Sequence, residues 1–281
     1  MTALDRALDR TLGRTLDRTL DRAIAQAGAP GRIRFTRRQL YYELCRVLLP
    51  SNRLPRWFPV MLPPLIGYER YLAALRRHGP VPGLLHDAAD ATTRPGPPDD
   101  VPDLYDYGLP RLLVCQDPAI AGMLLANDLH MESACPVVAL RDLPLDPRLT
   151  AALRRAADTA VHVLHDASTA GYAAVQDVRR WAGDVRVHPL GLRPAHAAAL
   201  HLTTAPRGQR GRTGDPAPPD GLEPWELRRL DAGRIVEVAA VNPARLLRTV
   251  HRLVRGQART RRKSARLRQL QAAGFMTWPA A

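Results

Sequence analysis

Four short apolar runs alternate with helical segments between residues 112 and 187, and no other feature of the chain constrains its fold as much. Leu112-Leu113-Val114-Cys115, Pro136-Val137-Val138-Ala139-Leu140, Ala160-Val161-His162-Val163-Leu164-His165 and Val185-Arg186-Val187 read as strands. Residues 119–129, 147–158 and 170–182 read as helices between them. Strands this apolar need cover on both faces, and a helix after each strand returns the chain to lay the next one parallel. The expectation is an α/β domain over 105–255 with a parallel sheet of at least four strands. Ile235-Val236-Glu237-Val238 reads as a late strand. Pro243 through Val254 reads as a helix, with Leu246, Leu247, Val250 and Leu253 inward and Arg245, Arg248, Arg252 and Arg255 outward. In an open parallel sheet chemistry gathers at the carboxyl ends of strands. Here those ends are Gln116-Asp117 and His165-Asp166-Ala167-Ser168. His162 and His165 point to opposite faces of one strand and are not a ligand pair.

Ahead of this domain, residues 36–49 form an amphipathic helix with Thr36 as N-cap, ended by Pro50. Residues 65–77 form another, with Leu65, Tyr68, Leu72 and Leu75 on one side. Two short helices crowded with arginine fit a helix-turn-helix or winged-helix module. The division expected is a repeat-rich N-terminal helix at 1–30, a winged-helix-like domain at 31–92 and a proline-rich linker at 93–104. The sheet domain follows at 105–255, with a loop insertion at 205–222, and then a basic tail at 256–281. Within residues 4–22 leucine recurs every fourth position. Such a stripe drifts by about 40° per step on a helix of 3.6 residues per turn, so it winds around the helix. Residues 1–25 are therefore expected to be dispensable for folding.

Charge is concentrated. Of a net +14, residues 31–80 hold ten arginines against two glutamates, and residues 238–281 hold nine arginines and one lysine with no acid. Two basic blocks on a slightly acidic remainder suit a polyanion such as DNA. Lys263 is the only lysine among 41 basic residues and alanine is abundant, so part of this arginine content reflects a GC-rich genome. The three cysteines, Cys45, Cys115 and Cys135, lack metal-ligand spacing and sit in apolar surroundings. No apolar run approaches 18 residues and no signal-peptide core is evident, so a soluble cytoplasmic protein with no membrane contact is expected.

Phe35-Thr36-Arg37-Arg38-Gln39-Leu40-Tyr41-Tyr42 sets two tyrosines one helical turn after two arginines. A tyrosine hydroxyl beside a guanidinium can attack a phosphodiester, since the cation favours phenolate and holds the phosphate. The plain alternative is a pair of core tyrosines. This T-x-R-x-x-Y-Y pattern resembles the catalytic-tyrosine helix of the topoisomerase VI A subunit and the related meiotic double-strand-break proteins. The two strand ends resemble the Toprim domain that follows in that family. Val187 to Pro194 with Leu200-His201-Leu202, and Val236 to Pro243, resemble later segments of it. The likeness covers roughly residues 31–255.

The resemblance implies Tyr42 as nucleophile with Arg38 beside it, a homodimer that joins tyrosine and metal site from different chains, and an ATPase partner subunit. It also implies a Mg²⁺ site, yet Gln116 and Ser168 replace two of its three carboxylates, and Gln39 replaces an acid after the arginine. Asp166 remains, with Asp117 the nearest substitute. Three functions follow. The first is a DNA-binding protein with a decayed metal site, gripping phosphates through Arg34, Arg37, Arg38 and Arg46 and through Arg259, Arg261, Arg262 and Lys263 in the tail. The second is an active cleaving subunit using Tyr42 and Mg²⁺ on Asp166 and Asp117. The third is a non-catalytic protein-interaction scaffold. For the first two, Tyr42→Phe distinguishes loss of adduct from unchanged binding.

Overall fold

The computed structural model describes residues 3–49, 59–85, 110–145, 147–155, 159–205 and 221–255, with side chains from residue 15 onward. The linker at 93–104, most of the insertion at 205–222 and the tail at 256–281 lie outside the described residues, and with them Arg259, Arg261, Arg262 and Lys263.

The apolar runs form a parallel four-stranded sheet. Its strands are β1 (Arg111–Cys115), β2 (Val137–Ala139), β3 (Ala160–Leu164) and β4 (Arg186–Pro189), in the order β2-β1-β3-β4. Leu113 pairs with both Val137 and His162, and His162 pairs with His188. Side chains alternate across the sheet, so β1, β2 and β3 each feed two cores, while β4 is a largely exposed edge. Leu112, Val114, Val161 and Val163 pack on one face with Leu153 of α6 (Pro147–Arg155) and Val175 and Val178 of α7 (Thr169–Ala182). Leu113, Cys115 and Leu164 pack on the other, with Ile120 and Leu124 of α4 (Pro118–Ala126) and Leu246 and Val250 of α10 (Pro243–Val254). The helices between are α5 (Leu129–Ser133), α8 (Pro194–Ala199) and α9 (Pro224–Asp231).

That second core continues without a break into the N-terminal helices α1 (Ala3–Ala27), α2 (Arg37–Leu48) and α3 (Tyr68–His78). The capping box of α2 is complete: the Gln39 N–H donates to Thr36 Oγ1 at 3.1 Å, and Gln39 Oε1 accepts from the Thr36 N–H at 2.9 Å. Gln39 thus serves the start of the helix. Among the described residues no helix is long and apolar enough to cross a membrane.

Three sequence expectations need correction. The repeat helix is not peripheral: Leu20, Ala23 and Ala27 of α1 are fully buried in the shared core. They lie at i, i+3 and i+7, one face of a helix, so the last two turns use alanines where the leucine stripe would have wound away. The helix expected at 119–129 is broken after Ala126. Asn127 caps α4 through Met123 O at 2.8 Å and exchanges two hydrogen bonds with the Arg34 backbone, and Asp128 follows with φ 55°. Residues 235–238 do not form a strand. Val236 makes a single antiparallel bridge to Ala167, and a 3₁₀ turn begins at Val238. The Val238 N–H goes to a side chain instead of a ladder.

Candidate functional site

The carboxyl ends of β1 and β3 lie side by side, and the residues there are used to fasten backbone. Gln116 Oε1 accepts from the Asp166 N–H at 2.9 Å, tying the two strand ends together. Asp117 is the N-cap of α4 and accepts from the Ala119 N–H at 2.8 Å. Asp166 Oδ1 accepts from the Val238 N–H at 2.6 Å, drawing the 235–241 segment onto the sheet. Ser168 is the N-cap of α7 and accepts from the Gly171 N–H at 3.0 Å. A side chain at Gly171 would meet the Asp166 carbonyl at 2.2 Å, so only glycine lets α7 start this close.

Segment 235–241 delivers the residue that sequence reasoning missed as a site residue, Glu237. Its carboxylate forms a two-point ion pair with Arg38, Nε to Oε2 at 2.6 Å and an Nη to Oε1 at 2.5 Å. The Tyr42 hydroxyl donates to Glu237 Oε2 at 2.9 Å. Arg38 also stacks over aromatic rings, 4.6 Å from the centroid of Tyr68 and 5.7 Å from that of Tyr42. Tyr41 packs among Tyr42, Tyr68 and Tyr71 and donates to Ile66 O at 2.7 Å. The two tyrosines are core residues: Tyr41 is 0% exposed and Tyr42 is 1% exposed.

The resemblance places tyrosine and carboxylates on different chains. Here Glu237 joins Tyr42 to the Asp117–Asp166 region within one chain. Electrostatics follow from that gathering. Burial raises Asp166 to about 7, against the pull of the Val238 N–H, and the charges of Glu237 and Asp117 add to the rise. Burial likewise raises Asp117, with Glu237 contributing and the Ala119 N–H opposing. Arg38 lowers both carboxylates and is the cation at their centre. Burial alone would lower Arg38, but the hydrogen bonds and charge of Glu237 outweigh it and hold it above its ordinary value. Burial, then the Glu237 charge, pushes the Tyr42 hydroxyl well above its usual range.

A divalent cation does not fit this donor set. Magnesium is held by one or two ionised carboxylates whose oxygens are free to turn toward it, with waters completing its octahedron. Asp117 and Asp166 each spend an oxygen on a backbone N–H and are biased toward the neutral form, and Glu237 is clamped by Arg38. Among the described residues no group of three or more His, Cys, Asp or Glu has metal-holding geometry. Nor does the geometry present Tyr42 as a nucleophile: its oxygen is buried, protonated and already donating.

The remaining arginines are divided. Arg46 donates to Ala240 O at 2.6 Å and pairs with buried Glu43. Arg37 is half-buried and its carbonyl accepts from the Tyr71 hydroxyl. Arg34 is exposed. Arg245, Arg248, Arg252 and Arg255 are all exposed along α10 and its end. Spacings of three and four residues align them on one helical face. His162, half of a stacked pair with His188 at 5.5 Å, is lowered to about 4 by burial first and then by His188 and Arg111. No family model matches the chain, nor does any curated protein or solved structure.

Proposed function

We propose that this chain is a DNA-binding protein on a topoisomerase VI A-like scaffold, with a winged-helix-like N-terminal part, in which the tyrosine–arginine pair holds the fold together and does not cleave. The observation that carries the reading is the contrast between two sets of arginines. Arg38 and Arg46 are turned inward onto Glu237, Glu43 and Ala240 O. Arg245, Arg248, Arg252 and Arg255 face outward from an element without a single acid between Val238 and the chain end. Outward guanidinium groups at helical spacing suit phosphates, which bind by releasing counterions and without sequence preference. Of the arginines expected to grip phosphate, Arg34 belongs to this outward group, while Arg38 and Arg46 do not.

The test is fluorescence anisotropy with a labelled DNA duplex over a salt series. Truncation after Leu253, or the pair Arg252→Ala and Arg255→Ala, should weaken binding and flatten the plot of log K against log salt. Every phosphate that the variant no longer neutralises takes about 0.9 off that slope. Binding that shows no salt dependence would favour the protein-interaction scaffold instead.

A further inference from the structure

A groove of about 560 Å³ opens between the end of α1, α2, the segment after α8 and the first turns of α10. It has no part in the Arg38–Glu237 cluster. Arg46, Arg245 and Arg248 line it, against one carboxylate, Glu43. That carboxylate is 2% exposed, paired with Arg46, and accepts from Asn242 Nδ2 at 2.9 Å. Three guanidinium groups to one carboxylate leave a formal excess of two positive charges in a concave, partly enclosed space. Arg46 is fixed in direction by Ala240 O, so one wall of the groove is preorganised. Leu200, Leu202 and Val241 add apolar lining. The volume lies in the range of sites for small organic ligands.

We infer that this groove is a phosphate-binding site in which Arg245 and Arg248 pair with the phosphate and Arg46, committed to Glu43 and Ala240 O, shapes the wall behind them. Guanidinium forks pair with phosphate oxygens in two-point fashion. The phosphate has two possible sources, a nucleic-acid strand or a free phosphorylated small molecule, and the site chemistry is common to both. Arg245 and Arg248 also belong to the outward set of the DNA-binding reading, so the inference deepens that reading, and pyrophosphate tests the groove separately from DNA.

The experiment is isothermal titration of the full chain with inorganic pyrophosphate, beside anisotropy with labelled duplex DNA. Ala199 is an exposed groove residue, so Ala199→Glu brings a negative charge into the groove without touching the core. Arg248→Gln is the second variant, and Arg154→Ala, an exposed arginine of α6 outside the groove, is the control. Circular dichroism verifies that each is folded. Pyrophosphate should bind, and both groove variants should weaken it by about tenfold or more, the size of one charge-assisted hydrogen bond. The control should stay within about twofold. If Ala199→Glu weakens DNA as well, the groove takes a strand phosphate. If DNA is unaffected while pyrophosphate is lost, it takes a free phosphorylated ligand. Absence of pyrophosphate binding at millimolar concentration, or binding that neither groove variant changes, overturns the inference. Loss of the DNA signal alone in the unmodified protein overturns the DNA-binding reading and leaves the pyrophosphate result standing.

Discussion

Replacing Asp166 by asparagine should stabilise the protein at pH 8 and weaken it slightly below pH 5. The carboxyl is held at about 7 against an ordinary 3.8. Between those values the folded chain keeps a proton that the unfolded chain has lost, so its stability falls as pH rises through that window and is flat above it. At 1.36 kcal/mol per pH unit, ionised Asp166 destabilises the fold by about 4 kcal/mol above pH 7. Asparagine does not titrate and its Oδ1 can still accept from the Val238 N–H. Its amide N–H₂ then needs a partner in a buried place, at a cost of about 1–2 kcal/mol. The net expectation is a gain of about 2 kcal/mol at pH 8 and a loss of about 1 kcal/mol at pH 4.5. The charges of Glu237 and Asp117, which raise Asp166, and of Arg38, which lowers it, are already contained in that value. His162, lowered to about 4, gives the wild type a slope of the opposite sign between about 4 and 6.5, and this cancels in the difference. Urea unfolding of both proteins across pH 4.5–8 measures it. Parallel stability curves would refute the reasoning, since Asp166 would then titrate as an ordinary surface carboxyl.

Arg38→Met leaves Glu237, 15% exposed, facing two further carboxylates without its cation, and should cost about 3–5 kcal/mol in urea unfolding. Tyr42→Phe removes only a hydroxyl donating to that carboxylate and should cost less, about 1.5–3 kcal/mol in the same assay. Leu20→Ala should cost about 3 kcal/mol, and deleting residues 1–25 should lower the melting temperature sharply, because Leu20 and Ala23 are fully buried. Ser168→Ala should cost about 1 kcal/mol by removing the N-cap of α7, read by the same unfolding curves.

The sheet was legible because β1, β2 and β3 are covered on both faces and so read as apolar runs between turn residues. The Thr36 cap and the outward arginines of α10 were legible for a similar reason, since both are local patterns. Glu237 as the partner of Arg38 was not, because it lies 199 residues away and nothing in either segment names the other. The late strand failed on the same point. Val236 and Val238 have strand composition, but their fate was set by Asp166 taking the Val238 N–H. The last turns of α1 were hidden behind the repeated leucines, because two of the three buried positions there are alanines. Tyr41 and Tyr42 show how one local pattern admits two chemistries. Whether a tyrosine beside an arginine attacks or packs depends on the carboxylate that arrives from the far end of the chain.

The most direct measurement incubates the protein with supercoiled DNA and Mg²⁺ or Mn²⁺, denatures it, and looks for protein attached to DNA ends. With Tyr42 buried and donating to Glu237, and the carboxylates occupied by Arg38 and backbone N–H groups, the DNA should be retarded before denaturation and carry no attached protein after it. Tyr42→Phe should behave identically. A metal-dependent adduct on the unmodified protein that disappears in Tyr42→Phe would contradict the account and make the chain a cleaving enzyme.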